Sequence, residues 1–171
     1  MNTKSQYISI FMLIAVLSIG FTSCGGDDDG QNLVSSLKAE QLIGLWEPYH
    51  LKAWGTAYGK SFSAEADVGP NGIDYTEVHR FEFGLNGSFQ SYSYENYNYS
   101  GEWKWIPNGH KGSYVIEGYH VFIYKNSLSG SPSDDYIVNK ISPEELVLTE
   151  HKENVENGNE YNDQYFMKRV N

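Results

Sequence analysis

Phe81-Glu82-Phe83-Gly84-Leu85-Asn86-Gly87-Ser88-Phe89 is the stretch on which the fold turns. Phe81, Phe83 and Phe89 lie at strand spacing on either side of an Asn-Gly pair. Alternation with period two puts side chains on opposite faces of a strand, and Asn-Gly supplies the positive backbone angles of a tight hairpin. Downstream, Tyr97-x-Tyr99-x-Gly101-x-Trp103-x-Trp105 repeats the alternation, with Asn98, Ser100, Glu102 and Lys104 between. That spacing predicts one strand with its aromatics on a single face, expected to be the inner one.

Worked outward, the pattern predicts strands at 45–54, 74–83, 88–95, 97–106, 113–117, 120–125, 135–141, 145–151 and 160–169. Short connections between consecutive strands point to an antiparallel meander, and closing it on itself removes exposed edges. One short helix is expected near Leu37–Ile43, capped by Ser35 or Ser36 and closed by Gly44. The expected class is therefore all-β, an up-and-down barrel of eight or nine strands with a short N-terminal helix. Gly55–Ile73, with four glycines and Pro70, reads as a long loop after the first strand, and Pro48 is expected to end that strand early. The 152–159 connection, with Asn157-Gly158, reads as a solvated turn.

The N-terminus carries a different signal. Ile8–Phe21 is almost wholly apolar, preceded by Lys4 and followed by Thr22, Ser23 and Cys24. A positive start, a run of about 14 apolar residues and small residues at the cut describe a secretory signal peptide, too short for a membrane span. Phe21-Thr22-Ser23-Cys24 resembles the bacterial lipoprotein signal box, with Phe where Leu is usual. That resemblance implies lipidation of Cys24, the chain's one cysteine. The expected organisation is a leader over 1–23, an acidic flexible tether over 24–34 and a barrel domain over 35–171. Gly25-Gly26-Asp27-Asp28-Asp29-Gly30 resembles the export signal of Bacteroidota lipoproteins, implying an outer-membrane anchor and display at the cell surface; a plain linker is the competing reading.

Composition narrows the partners. The formal charge is −10, and loss of the leader removes only Lys4, leaving 11 Lys and Arg against 22 Asp and Glu, or −11. Phosphate backbones and anionic headgroups repel such a chain, which disfavours nucleic acid. With Cys24 acylated, no disulfide and no thiolate metal site can form. No nucleophile elbow, no His-Glu-x-x-His pair and no phosphate-cradling loop is present, and His50, His79, His110, His120 and His151 lack metal-ligand spacing. The chain is accordingly expected to work without cofactor or metal and without catalysis.

A family resemblance spans most of residues 40–169. Leu42-Ile43-Gly44-Leu45-Trp46 resembles the opening of lipocalin-like domains in Bacteroidota lipoproteins. The likeness continues through Phe81-x-Phe83-x-x-x-Gly87-Ser88-Phe89, Gly101-x-Trp103, Tyr136-x-Val138-x-Lys140-Ile141 and Glu145-Leu146-Val147-Leu148. It implies a barrel with one open end and no particular ligand.

Three functional readings compete. In the first, a small or extended ligand binds inside the open end, met by Glu77 and His79 on one strand and by the aromatic rows Tyr97, Tyr99, Trp103, Trp105, Phe122 and Tyr124. Core filling is the bland alternative for those aromatics, and a wet barrel mouth for Glu77 and His79. In the second, Tyr92 and Tyr94 face outward, opposite Ser91 and Ser93, and dock on a protein or glycan. In the third, Glu77 and His79 act as an acid–base pair.

Overall fold

The computed structural model describes residues 37–99, 101–125, 130–154 and 158–170. The leader, Cys24 and the tether lie outside the described residues. Nine strands follow a short helix, α1 (Ala39–Leu42): β1 (Gly44–Ala57), β2 (Lys60–Asp67), β3 (His79–Phe83), β4 (Ser88–Asn96), β5 (Trp103–Glu117), β6 (His120–Tyr124), β7 (Asp134–Ile141), β8 (Glu145–Asn154) and β9 (Asn159–Val170). All pair antiparallel in the order β2-β1-β3-β4-β5-β6-β7-β8-β9, and β1 also pairs with β9. Eight strands thus close an up-and-down, lipocalin-like barrel, while β2 stands outside the ring as a branch on β1.

β1 makes this possible by dividing one edge between two neighbours. Gly44–Trp46 pair with β3, and His50–Ala57 pair with β2. Its other edge runs along β9 from Leu45 to Thr56. Pro48 does not end the strand: the β1–β9 register slips between Pro48 and His50, and this bulge accommodates a residue with no N–H to give. The expected 55–73 loop is instead mostly the β1–β2 hairpin. Phe62, Ala64 and Ala66 alternate there with Ser61, Ser63 and Glu65, a pattern of small residues that carries little hydrophobic contrast.

Two other boundaries differ from expectation. β3 begins only at His79, because Asp74 caps a 3-10 turn over Tyr75–Glu77 by accepting the Thr76 N–H at 2.9 Å. Tyr97–Tyr99 form another 3-10 turn, so β5 starts at Trp103 and runs unbroken through the segment expected to separate two strands. The Asn86-Gly87 turn is as expected, with Gly87 at φ 76°. The helix cap is at Lys38, whose N–H donates to Gln41 Oε1 at 2.9 Å.

The core fills the barrel at the α1 end. Leu42, Trp46, Phe83, Leu146, Leu148, Val138, Val121, Ile123 and Met167 are fully buried, with Phe81, Phe89, Tyr114 and Tyr136 beside them. The Trp46 indole N–H donates to the Leu42 carbonyl at 2.7 Å, and the Arg169 guanidinium lies 4.2 Å from the Trp46 ring. Arg169 also donates to the carbonyls of Gln41, Ile43 and Pro143, locking helix, β1 and the β7–β8 turn into a floor. No helix among the described residues is long and apolar enough to cross a membrane.

Candidate functional site

Above that floor the inward-facing side chains change character. Leu51 and Ala53 of β1 and Ile106 of β5 stay apolar there, but each strand still alternates and most positions that continue the core upward are polar. On β3, β4 and β5 they are His79, Ser91, Ser93, Asn108 and His110. On β6 to β9 they are Lys125 just past the strand end, Asp134, Glu150, Lys152 and Asp163. Cross-strand partners share a face, so Glu150 opposite Asp163 and His79 opposite Ser93 fix the inward parity.

The first wall is held by hydrogen bonds between neutral groups. Ser91 Oγ donates to Asn108 Oδ1 at 2.6 Å, Asn108 Nδ2 donates to Ser93 Oγ at 3.0 Å, and Ser93 Oγ lies 3.4 Å from His79 Nδ1. A register slip between Gln90 and Tyr92 opposes two β4 residues to four on β5 and turns Asn108 inward, where its Oδ1 also accepts the His110 N–H. The His79 and His110 rings stand 6.5 Å apart. Burial, then the charge of His110, lowers the His79 pKa; burial, then Lys125, lowers that of His110 against the pull of Asp134. His79 is nonetheless exposed to solvent.

The second wall is charged. Lys152 Nζ sits 2.8 Å from Glu150 Oε2 and 2.9 Å from Asp163 Oδ2, and the Tyr165 hydroxyl reaches Glu150 at 3.5 Å. Lys125 and Asp134 approach to 3.9 Å. Burial raises the Glu150 pKa against the ion pair with Lys152, and Asp134 and Asp163 push it further. Burial works against the charge of Lys152, but Tyr165, Glu150 and Asp163 together hold its pKa above the ordinary value.

Of the residues singled out by sequence, only His79 stands in this interior. Glu77 falls in the 3-10 turn, exposed, so it does not share a face with His79. Tyr97 and Tyr99 are in the turn after β4, Tyr99 almost wholly exposed and Tyr97 beneath Lys104, whose Nζ lies 3.4 Å from its ring centroid. Trp103 and Trp105 face outward, because they pair with Asn96 and Tyr94 and the β4 serines hold the inner face. They join Tyr94 and Tyr75 in an outer cluster, with Arg80 4.4 Å above Trp105 and ion-paired to buried Glu47. Phe122 and Tyr124 also face outward, the inner positions of β6 belonging to Val121 and Ile123. Phe122 stacks on His120, which pairs with Asp135 at 2.8 Å. Tyr92 and Tyr94 face outward and are half-buried, the Tyr92 hydroxyl donating to Glu82.

The interior residues missed by sequence carried one usable signal. Ser91 and Ser93 continue the inward register of Phe89, and Glu150 and Lys152 continue that of Leu146 and Leu148. Among the described residues no three His, Cys, Asp or Glu stand so as to hold a metal ion.

A separate concavity of about 430 Å³ opens near the far end of the β2-β1-β9 sheet. Trp54, Thr56, Ser61, Phe62, Asn162 and Glu160 border it, with Gly55 between. Two tyrosines take positive φ at turns of that same end, Tyr58 at 52° and Tyr99 at 57°, and both are highly exposed.

No family model matches this chain, and no curated protein matches it.

Proposed function

We propose that the protein is a non-catalytic binding barrel that takes a small polar ligand into its upper interior, held at the bacterial outer surface by a lipid on Cys24. The observation carrying the first part is the change of lining above an apolar floor. A barrel of eight strands can be filled by side chains, and here the lower half is. Filling the upper half with His79, Ser93, His110, Lys125, Asp134, Glu150, Lys152 and Asp163 costs desolvation that a packed apolar interior would not incur. Several convergent polar groups above an apolar base fit a recognition site. The anchor and the surface location rest on the signal box and the acidic segment after it.

Native mass spectrometry tests the binding reading on protein taken from the source cells' envelope and released by cleavage in the tether. A discrete retained mass that is absent from an Asp163→Asn, Glu150→Gln variant supports it. A clean apo mass, or a mass retained equally by that variant, removes it. Labelling with a clickable fatty acid tests the anchor separately: incorporation lost in Cys24→Ser supports it, and no incorporation overturns it.

A further inference from the structure

The four tryptophans have unequal lots. Trp46 gives its N–H to Leu42 and carries Arg169, Trp103 stacks on Tyr94, and Trp105 lies under Arg80 against Tyr75 and Tyr94. Trp54 has no ring partner and no N–H partner among the described residues. It is half-buried in the middle of three paired strands, with the small Ser63 opposite it on β2 and Asn162 opposite it on β9.

What surrounds it is one further aromatic, Phe62, and a set of hydroxyl-seeking groups. Thr56, Ser61, Asn162 and Glu160 border the same concavity. At Gly55 a Cβ would meet the Glu160 carbonyl oxygen at 2.2 Å, so the missing side chain lets β9 pass close. His151 Nδ1 lies 3.0 Å from Asn162 Oδ1, which fixes the carboxamide and directs its NH₂ away from His151. His151 Nε2 is 3.3 Å from Glu153 and 3.9 Å from Glu160, so the polar edge is braced from β8.

We propose that this concavity is a binding site for a neutral saccharide, stacked on Trp54. A pyranose ring has an apolar face of C–H bonds and a rim of hydroxyls. The part of the half-buried indole that faces the concavity matches the face, and no described residue takes its N–H. A carboxylate, a carboxamide and two hydroxyls match the rim as acceptors and donors. Glu160 and Glu153, on a chain of net charge −10, turn away phosphate, sulfate and uronic acids. An open concavity of this volume suits a chain lying across the sheet, not a ligand swallowed whole. The site is on the outside of the barrel and does not depend on the interior reading.

The test is a glycan array of neutral, sulfated, sialylated and uronic-acid oligosaccharides, followed by calorimetry with the strongest hit. The wild-type domain is expected to retain neutral glycans and to show tryptophan quenching on titration. Trp54→Ala should weaken binding by at least about tenfold, Trp54→Phe should keep part of it, and Asn162→Ala should weaken it with the quenching preserved. Trp103→Phe serves as a control that changes an exposed indole away from the concavity. Unchanged thermal melts for Trp54→Phe separate loss of contact from loss of fold. The proposal is overturned by an array with no neutral hit, by hits confined to anionic glycans, or by affinity unchanged in Trp54→Ala.

Discussion

A methyl group at Gly55 would land 2.2 Å from one backbone atom of β9 and 2.6 Å from another, and the residue's φ is 154°. Backbone on the facing strand cannot swing aside as a side-chain tip can. Gly55→Ala is therefore expected to push β1 and β9 apart, at a cost on the order of 2–3 kcal/mol. Thermal unfolding by circular dichroism should show a fall of roughly 4–12 °C for a domain of this size. The two interior imidazoles make a second residue-level prediction. Their pKa values lie below the unfolded histidine value of about 6.5, so protons favour the unfolded chain. Their contribution is intact above that pH and is lost as pH falls from about 7 towards 5. His151 has the opposite sign, since Asn162 and then Glu153 and Glu160 raise its pKa. The check is urea unfolding of His79→Gln, His110→Gln beside wild type: the variant should lose less stability between pH 7.5 and 5.5. Equal losses would assign the acid sensitivity elsewhere.

Among the elements, β2 is the least secured. It pairs only with β1, whereas β9 is held on both sides over nearly its full length. Hydrogen exchange should open β2 amides fastest among the strands and protect Tyr165–Lys168 longest. This is also where the sequence was hardest to read. Phe81–Phe89 announced its hairpin because large apolar residues contrast with charged ones, and Tyr136–Ile141 and Glu145–Leu148 did the same. Ser, Ala and Glu in β2 offer no such contrast. The aromatic rows failed for another reason. Period two fixes which residues share a face but not which face is inner, and size was a poor guide. Val121 and Ile123 took the inside of β6 over Phe122 and Tyr124, whereas on β4 Ser91 and Ser93 face in and Tyr92 and Tyr94 out, as the second reading expects. An interior that turns polar halfway up reverses the usual assignment, so the candidate site was legible only at His79.

For the barrel as a whole, the floor and the excess of acid set the stability. Leu42 is fully buried where α1 meets the core, and Leu42→Ala is expected to cost about 2–5 kcal/mol, read as a lower urea midpoint with an unchanged slope. The charge of −10 acts over the whole surface as self-repulsion. Raising sodium chloride from 0.02 to about 0.5 M should therefore raise the melting temperature, with the larger gain below the concentration where the screening length falls under about 10 Å. A melting temperature that drops with salt would mean the ion pairs outweigh the repulsion.

The branch at β1 has a consequence in time. The ring closes through Leu45 to Thr56 against Glu160 to Val170, segments more than a hundred residues apart along the chain. β9 also fills the slot beside β8. Every earlier strand can find its neighbour as it emerges, but β1 and β8 stay unsatisfied until β9 arrives. Pairing across such a separation is slow. A chain threaded lengthwise through a narrow translocation pore would then remain pliable for nearly its entire passage and set into its rigid form only when the last dozen strand residues had followed.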